Sequence, residues 1–206
     1  DGHIIAVDID ETRIRAARAT QGVAPVVADA AALPFRSGSV PVLVSMDMIE
    51  HLPPDVRPRV GKEIDRVLAD DGIAAVGVPY GQHAASAERE IADACEKYTG
   101  RRLSWLEEHA EHGLPSRTEV LTMFQTAADT RSVVTTFNTS IRVWRWVWKI
   151  LICGWPGRAN PLFQALLKLI TPVLTLPLFH HEPAYRLMVY ITPKSMRLLD
   201  TDGKKP

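Results

Sequence analysis

Cysteine is scarce in this chain: Cys95 and Cys153 are its only two, without C-x-x-C spacing. That excludes a disulfide framework and fits a reducing cytoplasm, with both thiols read as small packing residues. An excess of charge of either sign is also missing, because 24 Lys and Arg balance 24 Asp and Glu. No global field attracts a polyanion, so nucleic acid is not implied as a partner. The chain opens with a turn and a strand rather than a basic segment and an apolar stretch, so no signal peptide is expected. An upstream portion is expected to be missing, since a buried strand makes an unlikely edge on which to begin a sheet. No internal repeat occurs. The apolar stretch 162–179 approaches the length of a membrane span, yet Lys168, Pro172 and Pro177 interrupt it, so an interfacial or hairpin insertion fits better than a span.

What is present is enough for a core: 206 residues, 46% of them hydrophobic, most simply one domain. Two apolar runs each end in an acid, Ile4-Ile5-Ala6-Val7-Asp8 and Val26-Val27-Ala28-Asp29. A buried parallel strand delivers its last residue to the carboxyl edge of a sheet, where open α/β folds bind ligands. One such carboxylate can accept from both ribose hydroxyls, and a second from an adenine amino group, so the pair suggests a nucleoside site. Helix formers over 12–19, capped by Asp10 or Thr12, separate the two strands. A third strand covers 42–45. A helix beginning at Pro53 carries Val56, Val60, Ile64, Val67 and Leu68 on one face, and a fourth strand covers 73–78. This alternation predicts a doubly wound parallel sheet. Residues 82–115 read as a helical cap over the sheet edge. Ser116 with Glu119 reads as the capping box of a helix over 116–127, and strands are expected over 131–137 and 184–192.

The words Ala6-Val7-Asp8-Ile9-Asp10, Ala28-Asp29-Ala30-Ala31-Ala32-Leu33-Pro34-Phe35, Ser45-Met46-Asp47-Met48-Ile49-Glu50-His51-Leu52 and Arg66-Val67-Leu68-Ala69-Asp70-Asp71-Gly72 resemble those of the class I S-adenosylmethionine-dependent methyltransferases, of the methyltransferase type 11 kind. The resemblance implies a Rossmann-like α/β sheet closed by an antiparallel hairpin (133–137 with 185–191) and S-adenosyl-L-methionine as cofactor. It implies that Asp8 binds the ribose, that Ile9 lies against adenine, that Asp29 accepts from the adenine amino group with backbone help from Ala30, and that Ser45 and Met46 sit beside the methionine portion. The family's first strand and glycine-rich turn have no counterpart here, so the fold is expected to be truncated before its second strand. The implied domains are a partial methyltransferase core over 1–140 and 183–195, an apolar helical insertion or cap over 141–182, and a polar tail over 196–206.

Methyl transfer from a sulfonium is an in-line displacement in which alignment does most of the work. A base helps when the acceptor is a poorly ionised hydroxyl or amine, and His51, after the third strand of this chain, is the candidate; its blander role is to cap the following helix. Asp47 and Glu50 in the same loop are read either as acceptor-orienting groups or as solvated acids. His109-Ala110-Glu111-His112 lacks the i, i+4 spacing of helical zinc sites and shows no third ligand, so no metal is expected. Tryptophans 144, 146, 148 and 155 suit core packing, an apolar acceptor or a bilayer surface; their spacing fits a strand, while Arg145 and Lys149 fit an interfacial helix.

The expected function is methyl transfer to a small-molecule, glycan or lipid-linked acceptor, in the cytoplasm, with peripheral contact at the inner face of the membrane through 143–179 as an option. The alternatives are an NAD-dependent Rossmann oxidoreductase, whose site also places an acid after its second strand, and a non-catalytic, membrane-associated fragment.

Overall fold

The computed structural model describes residues 4–151 and 180–196, with the single positions 165, 169, 170 and 173. Strand β1 (Ile4–Asp8), helix α1 (Glu11–Ala17) and strand β2 (Val23–Val27) make the first unit. The Asp10 carboxylate accepts from the backbone N–H of Thr12 and Arg13, which starts α1, and Gly22 at φ +82° turns the chain into β2. The two strands run parallel in register from Ile4 opposite Val23 to Asp8 opposite Val27.

Strand β3 (Val40–Met46) leads through a 3-10 turn (Ile49–His51) to α2 (Arg57–Val67), β4 (Leu68–Pro79), α3 (Gly81–Thr99) and α4 (Ser104–His112). Then follow α5 (Arg117–Met123), α6 (Gln125–Thr130), β5 (Arg131–Ser140), α7 (Ile141–Leu151) and β6 (Ala184–Pro193). A four-stranded sheet has the order β3-β4-β6-β5, with β3 and β4 parallel and β6 antiparallel to both neighbours. The mixed α/β sheet with its closing antiparallel hairpin is the architecture expected from the sequence. The pair β1-β2 forms a separate sheet, and neither β1 nor β3 has a strand partner on its other side among the described residues. Along β3, Val42, Val44 and Met46 alternate onto an exposed face.

The main core lies on the opposite side. Val60 and Ile64 of α2, Val120 of α5 and Phe124 pack against Val76 and Val78 of β4 and Leu187, Val189 and Ile191 of β6. A second cluster joins α3, α4 and α7 to the end of β6 through Ala84, Ile91, Leu106, Trp144 and Tyr185.

Three boundaries differ from the sequence expectation. The helix begins at Arg57 rather than Pro53, because a residue before proline disfavours the helical region; Pro53 instead closes a turn in which its carbonyl accepts from Val56 N–H at 3.0 Å. The fourth strand begins at Leu68, five residues early, because Leu68 pairs with Val40 while Ile73 pairs with Val42, so 69–72 bulge out. The Arg131 guanidinium braces that bulge by donating to the carbonyls of Leu68 and Asp70 at 2.9 and 3.3 Å. The helix expected over 116–127 is two helices, since Phe124 leaves helical geometry (φ −106°, ψ 14°) with its ring sunk in the core. The tryptophan-rich segment begins as helix α7, and its continuation through Trp155 lies outside the described residues.

Candidate active site

Two groups of sequence-predicted residues sit at carboxyl ends of parallel strands, in separate sheets. Asp8 closes β1 and Asp29 follows β2, and the Asp8 carbonyl accepts from Ala28 N–H at 3.1 Å, which holds the two ends side by side. Both acids carry the same local device: Oδ1 accepts a backbone N–H two residues on, Asp10 at 2.9 Å for Asp8 and Ala31 at 2.8 Å for Asp29. Each carboxylate is thereby oriented before any ligand arrives. Ile9, next to Asp8, is 71% exposed, and half-buried Ala30, next to Asp29, packs on the main core. The loop after Asp29 is pinned to α2, since Leu33 N–H donates to Glu63 at 2.7 Å and Arg66 donates back to the Leu33 carbonyl at 3.1 Å. The paired Arg66 guanidinium holds the Glu63 carboxyl below its ordinary range.

Ser45 and Met46 close β3, opposite Val76 and Gly77. Gly77 lets the flexible Met46 side chain lie close over β4, since a Cβ would stand 2.4 Å from the Met46 methyl. Asp47 adopts φ 51° and forms a bidentate ion pair with Arg186 of β6, so it is not a solvated loop acid. Glu50 is not solvated either: its side chain is wholly buried, and neither carboxylate oxygen has a hydrogen-bond partner. Burial pushes its carboxyl up to about 8.

His51 does not stand alone. Its Nδ1 meets Glu108 Oε2 at 2.7 Å, and its Nε2 lies 3.3 Å from His109 Nε2. The ring of His109 is buried, with Nδ1 held by Glu88 Oε1 at 2.9 Å, and Glu88 also accepts from the Tyr185 hydroxyl at 2.7 Å. Burial, then the neighbouring His109, hold the His51 imidazolium below the ordinary histidine range. The spacing within its own helix offered His109 only His112 as a partner; the structure supplies His51 and Glu88, from 58 and 21 positions upstream. A detectable signal was that Glu88 and His109 fall on the apolar faces of their helices.

Tyr80, Gly81, His83, Glu182, Pro183 and Ala184 line a cavity of about 310 Å³ at the end of β4. Tyr80 donates to Glu182 at 3.2 Å. On α7, Trp144 is 2% exposed and stacks on Tyr185 at 3.8 Å, while Trp148 packs against Trp144 and Trp105. Trp146 is 55% exposed. No helix among the described residues is long and apolar enough to cross a membrane.

Residues 2–76 match a family described as a methyltransferase domain. No curated protein matches the chain. Among solved structures it is similar to a chain from the complex of the Haloferax volcanii Trm112 methyltransferase activator, at 17% identity and TM-score 0.56, over 93% of this chain and 72% of that one. It is similar to a SAM-dependent methyltransferase of Thermotoga maritima at 16% identity and TM-score 0.57, over 93% and 73%. The plantazolicin methyltransferase BpumL, solved with a pentazolic desmethylPZN analog and SAH, gives 8% identity and TM-score 0.54, over 93% and 67%. Identities this low carry the fold alone, and the family match is confined to residues 2–76.

Proposed function

We propose that this chain, a class I S-adenosylmethionine-dependent methyltransferase, holds the adenosine end of its cofactor at Asp8 and Asp29 and methylates a small-molecule or lipid-linked acceptor beyond the end of β3. The observation that carries the reading is the pairing of two pre-oriented acids at the adjacent ends of β1 and β2, with exposed Ile9 directly after Asp8. That donor set fits the group: the Asp8 carboxylate accepts from ribose hydroxyls, Asp29 accepts from the adenine amino group with Ala30 backbone beside it, and Ile9 offers an apolar face to the ring. S-adenosylmethionine supplies an electrophilic methyl on a sulfonium. Ser45 and Met46 flank the methionine portion, and His51 handles the acceptor's proton at the far end. The cavity lined by Tyr80 and Glu182 is the acceptor's place, and most of the cap expected over 141–182 lies outside the described residues.

Calorimetry with S-adenosylhomocysteine on the full gene product tests this. Asp8→Ala is expected to weaken binding by about 10- to 100-fold, the loss of charge-assisted hydrogen bonds of roughly 1.5–3 kcal/mol. Unchanged affinity would remove the assignment of the ribose site. Thermal protection by NAD but not by S-adenosylhomocysteine would favour the oxidoreductase instead.

One observation supports a peripheral membrane contact by 143–179: Arg142, Arg145, Trp146 and Lys149 line a common patch on α7. Against a large effect, Glu90 pairs with both Arg145 and Lys149. Sedimentation with anionic and neutral vesicles decides it, a membrane role requiring anion-dependent capture that Trp146→Ala reduces.

A further inference from the structure

Both imidazoles in the cluster present the same arrangement. A carboxylate only accepts hydrogen bonds, so Glu108 fixes the hydrogen of His51 on Nδ1 and Glu88 fixes that of His109 on Nδ1. The two bare Nε2 lone pairs then face each other across 3.3 Å. Glu50 Oε1 lies 4.0 Å from His109 Nε2, and both Glu50 oxygens are buried without a donor. Three lone-pair donors thus converge within 4.8 Å of one another. Two nitrogens bound at ~2.1 Å to a tetrahedral ion stand about 3.4 Å apart, close to the spacing seen here. A carboxylate behind each ligating histidine is also the outer arrangement that fixes ring orientation in metal sites.

We propose that Glu50, His51 and His109 bind a divalent first-row transition ion of the zinc type, with Glu88 and Glu108 as its supporting carboxylates. Two imidazoles and one carboxylate select such an ion over magnesium, which takes oxygen ligands, and three protein ligands leave a position open. The site is candidate and empty in this structure. Resting on the methyl-transfer reading, a second step follows: the open position takes a hydroxyl oxygen of the acceptor, which makes the acceptor an oxygen nucleophile. In that arrangement His51 acts as a ligand in place of a base: the acceptor's proton passes to solvent on coordination, an oxygen lone pair forms the new O–C bond as the S–C bond breaks, and sulfur keeps that electron pair.

The test is titration of chelator-treated protein with Zn²⁺ and Co²⁺, read by calorimetry and by Co²⁺ visible absorption. One ion per chain is expected, with magnesium failing to compete. His109→Ala should abolish the Co²⁺ bands. Glu108→Gln, at an exposed carboxylate, should keep the fold and weaken binding by about 10- to 100-fold. Binding of S-adenosylhomocysteine should survive in both variants, which separates loss of the metal from loss of the fold and from failure of the methyltransferase reading. Absence of Zn²⁺ and Co²⁺ uptake by the wild type, or equal uptake by His109→Ala, would overturn the site and leave two rings sharing a proton. For the acceptor step, 4-nitrocatechol should perturb the Co²⁺ bands; unperturbed bands would overturn an open position.

Discussion

Tyr185 shows how one side chain can serve packing and polarity together. Its ring stacks on Trp144 while its hydroxyl donates to Glu88, which in turn orients His109. Burial, then the adjacent Glu88, push its phenol far above the ordinary tyrosine range, so it remains a donor at every accessible pH. Tyr185→Phe keeps the stack and removes the donor, and is expected to cost about 1–3 kcal/mol in urea unfolding because buried Glu88 loses a partner. Trp144→Ala should cost more, about 3–5 kcal/mol, by emptying the centre of the second cluster. Trp146→Ala, at an exposed position on the same helix, should cost well under half of that. Equal losses at 144 and 146 would show that α7 does not pack as described. The sequence made both tryptophans visible but not their difference, because alternation in a short aromatic run is compatible with a strand as well as with a helix. Which ring is buried depends on α3 and β6, elements that are distant in the chain.

Helices α2 and α5 cross where Gly61 lies under the last turn of α5. A Cβ at Gly61 would stand 2.4 Å from the Met123 carbonyl, so Gly61→Ala is expected to force the helices apart and cost about 1–3 kcal/mol. The start of α5 offers a milder test. Ser116 accepts from Glu119 N–H at 3.2 Å and its own N–H donates to the Glu119 carboxylate at 2.7 Å, so Ser116→Ala should cost about 1 kcal/mol at neutral pH. The hydrogen bonds from Ser116 lower the Glu119 carboxyl below its ordinary value. A depressed folded-state value means the stabilisation is present above the unfolded carboxyl value and is lost as pH falls through the folded one. The cost of Ser116→Ala, measured by urea unfolding, should therefore hold steady from pH 7 to 5 and shrink below about pH 4; a cost that does not shrink would place the benefit elsewhere. This box was legible in the sequence because its partners are three residues apart. The break at Phe124 was not, since a buried phenylalanine is compatible with an unbroken helix until the core behind it is known.

At the scale of the whole molecule, the β1-β2 unit that carries Asp8 and Asp29 is joined to the larger sheet chiefly through the loop after Asp29 and its anchor on α2. The strands of this unit and the acids at their ends were readable in the sequence, because apolar runs ending in Asp are local signals; the division into two sheets was not. The Glu50, His51 and His109 cluster was not, because its members come from a 3-10 turn and a helix that meet only once α3 and α4 cover the sheet edge. Division into two sheets has a measurable consequence. A ligand held by Asp8 at one edge and by the Ser45–Met46 segment at the other would tie the units together, and anything that binds only the folded chain stabilises it by mass action. S-adenosylhomocysteine at about 100 times its dissociation constant should thus add about 2.7 kcal/mol and raise the midpoint of thermal unfolding. Hydrogen exchange locates where the gain falls. Amides of β1 and β2 should slow in parallel with those of β3 when the ligand spans both edges. If only β1 and β2 slow, the ligand is held by the adenosine end alone. In Asp8→Ala, at the same ligand concentration, both the midpoint shift and the added protection should diminish together, since each depends on the same bound fraction.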